Sequence, residues 1–333
     1  MRFSSPFRNR RNGLPRAFTL VELLAAMSTL VLLLLFTLSI TSHVSRITAS
    51  NGPSFQEART AFETITRMLS QALLNPYWDY DNPATPNRYI RASELHFVAG
   101  PAPALTALSD TVGSAVFFQA PLGYTATPSL RKMPRLLNSL GFYVRFSTSP
   151  HIPPYLDTPA ARSATAAYRL WMFMEPAEEM TVYDLYNASP QAASDFSWFR
   201  PGLAVTAKNH VLANHVILLL IRSSYRDANG DVVETYMYDS RPGMSGGVQP
   251  IEMHQIPETL HVTLVAIDDA TATRLLAASD GPYQLVDPEL FDTASDYAND
   301  LVKFQDDLNG NPVPVHYRIF ESTVNVSASK WSR

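Results

Sequence analysis

The longest apolar run in the chain extends from Phe18 to Ile40, and Glu22 is its only ionisable side chain. As a helix, this run spans about 35 Å, enough to cross a hydrocarbon core of about 30 Å. Residues 41–50 are polar but still compatible with a helix, and Asn51-Gly52-Pro53 predicts a break or kink. Beyond it, Phe55, Ala58, Phe62, Ile65, Leu69 and Ala72 recur at alternating spacings of three and four, which marks one helical face. Glu57, Arg59, Glu63 and Arg67 decorate the rest. Ser54 followed by Glu57 reads as a capping box, and Asn75-Pro76 as the stop. An apolar stripe must be buried. Fewer than three heptads are present, which disfavours a coiled coil, so Phe55, Phe62, Ile65 and Leu69 are expected to pack on the downstream domain.

After Pro76 the period changes. The segments 94–98, 115–119, 141–146, 168–174, 215–223, 232–238, 260–267 and 313–326 read as strands. Within 260–267, Leu260, Val262, Leu264 and Ala266 alternate with their neighbours, as a strand with one well-buried face requires. The stretch from Arg226 to Asp231 carries an Asn-Gly pair and predicts a hairpin. A short helix is expected around 296–308, with Asn309-Gly310 turning into the last strand. The Pro-, Ala- and Ser-rich stretches 76–93, 99–113, 121–138, 147–166 and 186–209 read as surface loops. No βαβ repeat is visible. The expected fold is therefore α+β: a long N-terminal helix, half transmembrane and half amphipathic, packed on an antiparallel β-sheet head with long loops.

Composition narrows the function classes. Of 333 residues, 46 % are apolar and 17 % charged, so a large core is available. The net charge of −4 gives no basic excess for nucleic-acid binding. The absence of cysteine excludes disulfides, thiolate metal sites and cysteine nucleophiles.

The N-terminus is more specific. Arg2, Arg8, Arg10, Arg11 and Arg16 precede the apolar run with no acid among them, which places the leader on the cytoplasmic side and the body outside. No small-residue cleavage site follows Ile40, so an ordinary signal peptide does not fit. An uncleaved signal anchor is one reading. The run from Ala17 to Leu23 supports another, because it resembles the class III signal of type IV prepilins and type II secretion pseudopilins. That resemblance implies cutting by a prepilin peptidase between Ala17 and Phe18, methylation of the Phe18 amine, and an acid five residues into the mature chain, which Glu22 matches. The family usually has Gly before the cut; here Ala17, also small, stands there. A lone charge in the membrane costs about 2.5–3.5 kcal/mol on insertion scales and calls for a partner. In an assembly, Glu22 can pair with the Phe18 amine of a neighbour. A pair within one chain, or a neutral acid near the headgroups, is the alternative.

These expectations divide the chain into a basic leader (1–17), a transmembrane and filament-core helix (18–40), a periplasmic amphipathic helix (41–75, with its break near 51–53) and a β-rich head (76–333). The stretches 168–171 (YRLW) with Glu175-Pro176, 236–240 (YMYDS), 255–268 (QIPETLHVTLVAID) and the ending Lys330-Trp331-Ser332 resemble the Verru_Chthon cassette protein C family. More distantly, the chain is similar to J-type minor pseudopilins. The resemblance implies a structural subunit of the inner membrane with a periplasmic head, whose partners are other pilin-like subunits, the peptidase and the membrane.

Catalytic signals are weak. The eight histidines form no H-E-x-x-H or comparable metal pair, and His210 and His215 would face opposite sides of a strand. Asp227, Asn229 and Asp231 resemble the start of a calcium loop but lack its later ligands. The acid pairs Glu178-Glu179, Asp268-Asp269 and Asp306-Asp307 are neighbours that point apart. Trp171 and Trp198 suit a carbohydrate or partner surface only if they are exposed; core packing is their default. No enzyme activity, cofactor or metal is expected. The competing class is a signal-anchored envelope enzyme or a solute- or carbohydrate-binding domain.

Overall fold

The computed structural model describes residues 52–82, 84–149, 157–183, 196–242, 248–279 and 281–329, with Met27 as an isolated helical position. The chain divides into two compact units, 1–51 and 52–333. The described residues are almost all in the second, so the leader and, apart from Met27, the 18–40 run lie outside them. Among the described residues, no helix is long and apolar enough to cross a membrane.

The second unit opens on helix α1 (Pro53–Leu69). Pro53 occupies a first-turn position where its missing N–H costs nothing, and Gly52 is the N-cap, its carbonyl accepting from Phe55 and Gln56. The Ser54–Glu57 capping box therefore does not form. No side chain caps this end, and the Glu57 carboxylate is held elsewhere. The helix ends at Leu69, short of Asn75-Pro76. Ala72 and Leu74 continue into the core as irregular chain, and Asn75 takes a left-handed turn at φ 51°.

Among the described residues twelve strands follow: β1 (Tyr77–Tyr80), β2 (Tyr89–Ala92), β3 (Val98–Pro101), β4 (Thr111–Pro121), β5 (Leu137–Ser147), β6 (Ala167–Glu175), β7 (Asn209–Asn214), β8 (Val216–Arg226), β9 (Val232–Thr235), β10 (Tyr238–Asp239), β11 (Thr259–Ile267) and β12 (Tyr317–Asn325). Among the described residues the further α-helices are α2 (Ala102–Thr106), α3 (Pro159–Ala164), α4 (Asp269–Ala278) and α5 (Tyr297–Gly310). All pairings are antiparallel. A six-stranded sheet runs β10-β3-β4-β5-β6-β7, a four-stranded sheet runs β12-β11-β8-β9, and β1-β2 form a separate hairpin.

The two larger sheets pack through β8, which lies against β3, β4, β5 and β6. The run Val216–Ile221 is buried throughout, which explains its unbroken apolar sequence. His215 is the hinge of this arrangement. It sits at φ 58° between β7 and β8, and this single left-handed residue carries the chain from one sheet to the other. In β4, a register shift between Val112 and Val116 holds Gly113 at φ 67°, where a Cβ would stand 2.5 Å from the Leu219 carbonyl oxygen. The bulge thus lets β4 approach β8 closely.

Gly141 on β5 is equally constrained. A Cβ there would lie 2.1 Å from Phe117, whose ring is stacked 3.7 Å from that of Phe199. Gly141→Ala is therefore expected to destabilise the head by about 1–3 kcal/mol through overpacking, read as a lower denaturant midpoint at an unchanged slope.

Several expectations shift here. The strand read at 94–98 begins only at Val98, because Ser93, Leu95 and His96 are held by side-chain bonds outside the ladders. The 76–93 loop contains the β1-β2 hairpin, and β7 starts at Asn209, the last residue of the 186–209 loop. Asn309 and Gly310 lie inside α5, so the turn before β12 comes later.

Candidate functional site

The seam between α1 and the head is the best-defined candidate for a working surface. Phe55, Ala58, Ala61, Phe62, Ile65 and Leu69 form the buried face of the helix. It packs on β7, the edge of the large sheet, and on β11 and β12 of the small one, so one helix spans the joint between two sheets. The Phe62 ring lies 5.9 Å from that of Phe320 on β12, and the Arg318 guanidinium sits 5.5 Å over Phe55. At the helix C-terminus, Ser327 donates both its N–H (3.2 Å) and its hydroxyl (2.8 Å) to the Ser70 carbonyl. The Leu73 N–H donates to the Gln119 carbonyl at 2.9 Å. Both contacts satisfy backbone groups around a helix end.

The polar anchor is Glu57. Its carboxylate accepts from the Asn214 side-chain amide at 3.0 Å and from the Asn214 backbone N–H at 3.3 Å. Asn214 in turn accepts from Arg169 Nε at 2.8 Å, and Arg169 is buried with its fork on backbone carbonyls of Ser147 and Thr165. Burial raises the Glu57 pKa above its ordinary 4.5, against the lowering effects of Asn214 and Arg169. The folded state thus binds this proton more tightly than the unfolded chain. The contribution favours folding at low pH and is lost as pH rises from 4.5 through the raised folded value. Glu57→Gln keeps the acceptor oxygen and removes that loss. Its unfolding midpoint should fall less than wild type between pH values below and above 4.5.

The chemistry-bearing residues disperse. Two of the three adjacent acid pairs are split by their partners. Glu178 accepts from Thr125 and Thr127, and its pKa falls to about 2, chiefly through a bond from its own backbone amide. Glu179 pairs instead with Lys208 at 2.8 Å. Asp268 caps α4 by accepting from the Thr271 N–H, while Asp269 meets His215 at 3.0 Å. Asp306 and Asp307 are exposed on α5. His210 is exposed on β7 and His215 lies in the corner, so the two do not share a strand face. Asp227 is spent on a turn, its Oδ1 accepting from the N–H groups of Asn229 and Asp231 at 2.9 Å each. Gly230 closes that turn at φ 93°, giving a hairpin between β8 and β9. Among the described residues, no group of three or more metal-ligating side chains comes together.

A histidine–carboxylate pair that the sequence did not signal bears on the enzyme alternative. His96 Nε2 lies 2.7 Å from Asp239 Oδ1, and Trp198 Nε1 donates to His96 Nδ1 at 3.0 Å. The Trp198 bond leaves the Nδ1 lone pair occupied and sets the proton on Nε2, facing Asp239. An imidazole so fixed has no free lone pair with which to act as a base, and His96 is fully buried. The trio is a packed polar network. Trp198 belongs to this core and Trp171 is half-buried on β6, so neither presents an open platform. Exposed aromatics cluster on the β1-β2 hairpin, which carries Tyr77, Trp78, Tyr80 and Tyr89, with Tyr80 and Tyr89 stacked at 4.9 Å.

Ala17, Phe18 and Glu22 lie outside the described residues. No protein-family model and no curated protein matches the chain. Among solved structures it is similar to a type IV-like pilin from Thermus thermophilus, at 10 % identity over 84 % of this chain and 100 % of that one, with a TM-score of 0.37. It is also similar to a chain of the GspK-GspI-GspJ complex of the enterotoxigenic Escherichia coli type 2 secretion system, at 13 % identity over 64 % of this chain and 88 % of that one, with a TM-score of 0.26. At these scores the likenesses establish no shared topology, and the functional reading rests on the chain's own residues.

Proposed function

We propose that this chain is a structural, non-catalytic, pilin-like subunit of a type II secretion or type IV pilus-like envelope assembly. The observation that carries the reading is the order of two features along the chain. The run of 17–23 (AFTLVEL), with its basic leader and single acid, leads within about thirty residues into a helix that buries one face on an antiparallel head. In this reading the leader is removed before Phe18 by prepilin peptidase, the new amine is methylated, and residues 18–40 cross the inner membrane. The head stands in the periplasm. Glu22 pairs with the Phe18 amine of a neighbour, and the subunit joins other pilin-like chains through this segment. Within that class, the reading favours a relative of the Verru_Chthon cassette protein C family, which the 168–171, 236–240 and 255–268 motifs resemble.

The test is the mass of the mature N-terminus in protein purified from its native membrane. Cleavage between Ala17 and Phe18, with one added methyl, is the expected result. An intact Met1 would overturn the processing step and favour a signal-anchored envelope domain.

A further inference from the structure

Residues 282–292 cross the head as a strap pinned at both ends by aromatic rings. Tyr283 is buried, edge-on to Tyr168 at 5.2 Å and to Phe146 at 6.0 Å. Phe291 is buried against Phe304 at 6.0 Å, and its N–H donates to Asp300 Oδ2 at 3.0 Å. Between these pins the strap covers a cavity of about 390 Å³. Val112, Ile217, Leu218 and Leu220 wall it from the sheets, and Leu285 and Val286 from the strap. A second, more polar cavity of about 420 Å³ shares the Gln284–Pro288 stretch and is bordered by Asp307 and Asn311. The strap therefore borders open space twice. The first volume is within the range of about 300–1,000 Å³ typical of ligand sites.

Charge narrows the class of ligand. Exposed Asp287 and Asp292 line the apolar cavity, and no Lys or Arg lines either cavity. Between residues 287 and 307 the chain carries seven acids against one lysine, while its total charge is only −4. An anionic headgroup would meet this field with the wrong sign, and a cation would be drawn to it.

The structure assigns the cavity under the strap to a ligand with a slender apolar stem and a cationic end, of the alkylammonium type. The stem lies against Leu218, Leu220 and Val286, and the cation stays at the rim beside Asp287 and Asp292. This inference is independent of how the N-terminus is processed.

Amide exchange of the full chain in lipid nanodiscs tests it, with hexylammonium and hexanoate as probes of equal stem length. Hexylammonium at about ten times its Kd should slow exchange across 282–292 about tenfold, because opening of the strap then competes with binding. Hexanoate should leave that exchange unchanged. The D287N/D292N double variant should lose the preference between the two probes. Val286→Trp, which fills the cavity from the strap, should lose the protection while exchange in β11 stays as in wild type. Equal protection by both probes, protection by neither, or full protection in Val286→Trp would each overturn the assignment.

Discussion

Glu22→Ala is expected to abolish co-purification of this chain with partner subunits while leaving the head folded and the membrane segment inserted. The two readouts should move in opposite directions. A carboxylate within an apolar span costs about 2.5–3.5 kcal/mol on insertion scales, so its removal makes insertion easier. If Glu22 served only as an incidental polar residue of an anchor, the variant would be neutral or better by every measure. In the proposed assembly, the Phe18 amine of a neighbour offsets that cost, and the pair sets the axial position of one subunit against the next. Loss of Glu22 then leaves an unpaired amine in the membrane and no registering contact. Glu22→Gln, which retains a hydrogen-bond acceptor without charge, should recover little assembly. Unchanged co-assembly in Glu22→Ala would refute the pairing.

Ile65→Ala should cost about 2–5 kcal/mol of stability. Ile65 is fully buried on the helix face that spans both sheets. Truncation removes apolar area and leaves a cavity that two sheets, already fixed by their ladders, have little freedom to fill. Against a typical total of about 5–15 kcal/mol, this is a large fraction. Chemical unfolding of the full chain in nanodiscs, followed by a head signal, measures it. Arg59→Ala is the matched control. Its guanidinium forms an exposed pair with Glu63 at 3.0 Å, and its loss should stay within about 0.5 kcal/mol. Equal effects of the two variants would mean that the head does not depend on this helix face.

The face of α1 was legible because helical periodicity is a local code, and the spacing Phe55, Ala58, Phe62, Ile65, Leu69 states it directly. The long strands β4, β5, β6, β8 and β11 were legible for the same reason: each carries enough β-branched and aromatic residues to declare itself. The short elements were not. Strand β1 is exposed along all four residues and has no buried face to produce a pattern. Helix α4 buries only Thr271, Ala272 and Leu275, so its stripe is thin, although Asp268 was available as a capping signal.

Long-range partnerships were invisible in principle. Glu57 looked like half of a capping box because Ser54 is close in sequence. Its actual partner, Asn214, is 157 positions away. The His96–Asp239 pair and the cavity beneath residues 282–292 likewise exist only because separate elements converge. By contrast, the dispersal of the adjacent acids followed from chain geometry alone, since neighbours along a strand or helix point in different directions.

The most direct measurement of the central claim is mass spectrometry of what co-purifies with this chain from native membranes under mild solubilisation. The account predicts a complex containing further chains with the same N-terminal design, a short basic leader followed by an apolar run with an acid near its start, and this chain beginning at Phe18. Recovery of the chain alone, with Met1 intact and a measurable hydrolytic activity in the head, would contradict it.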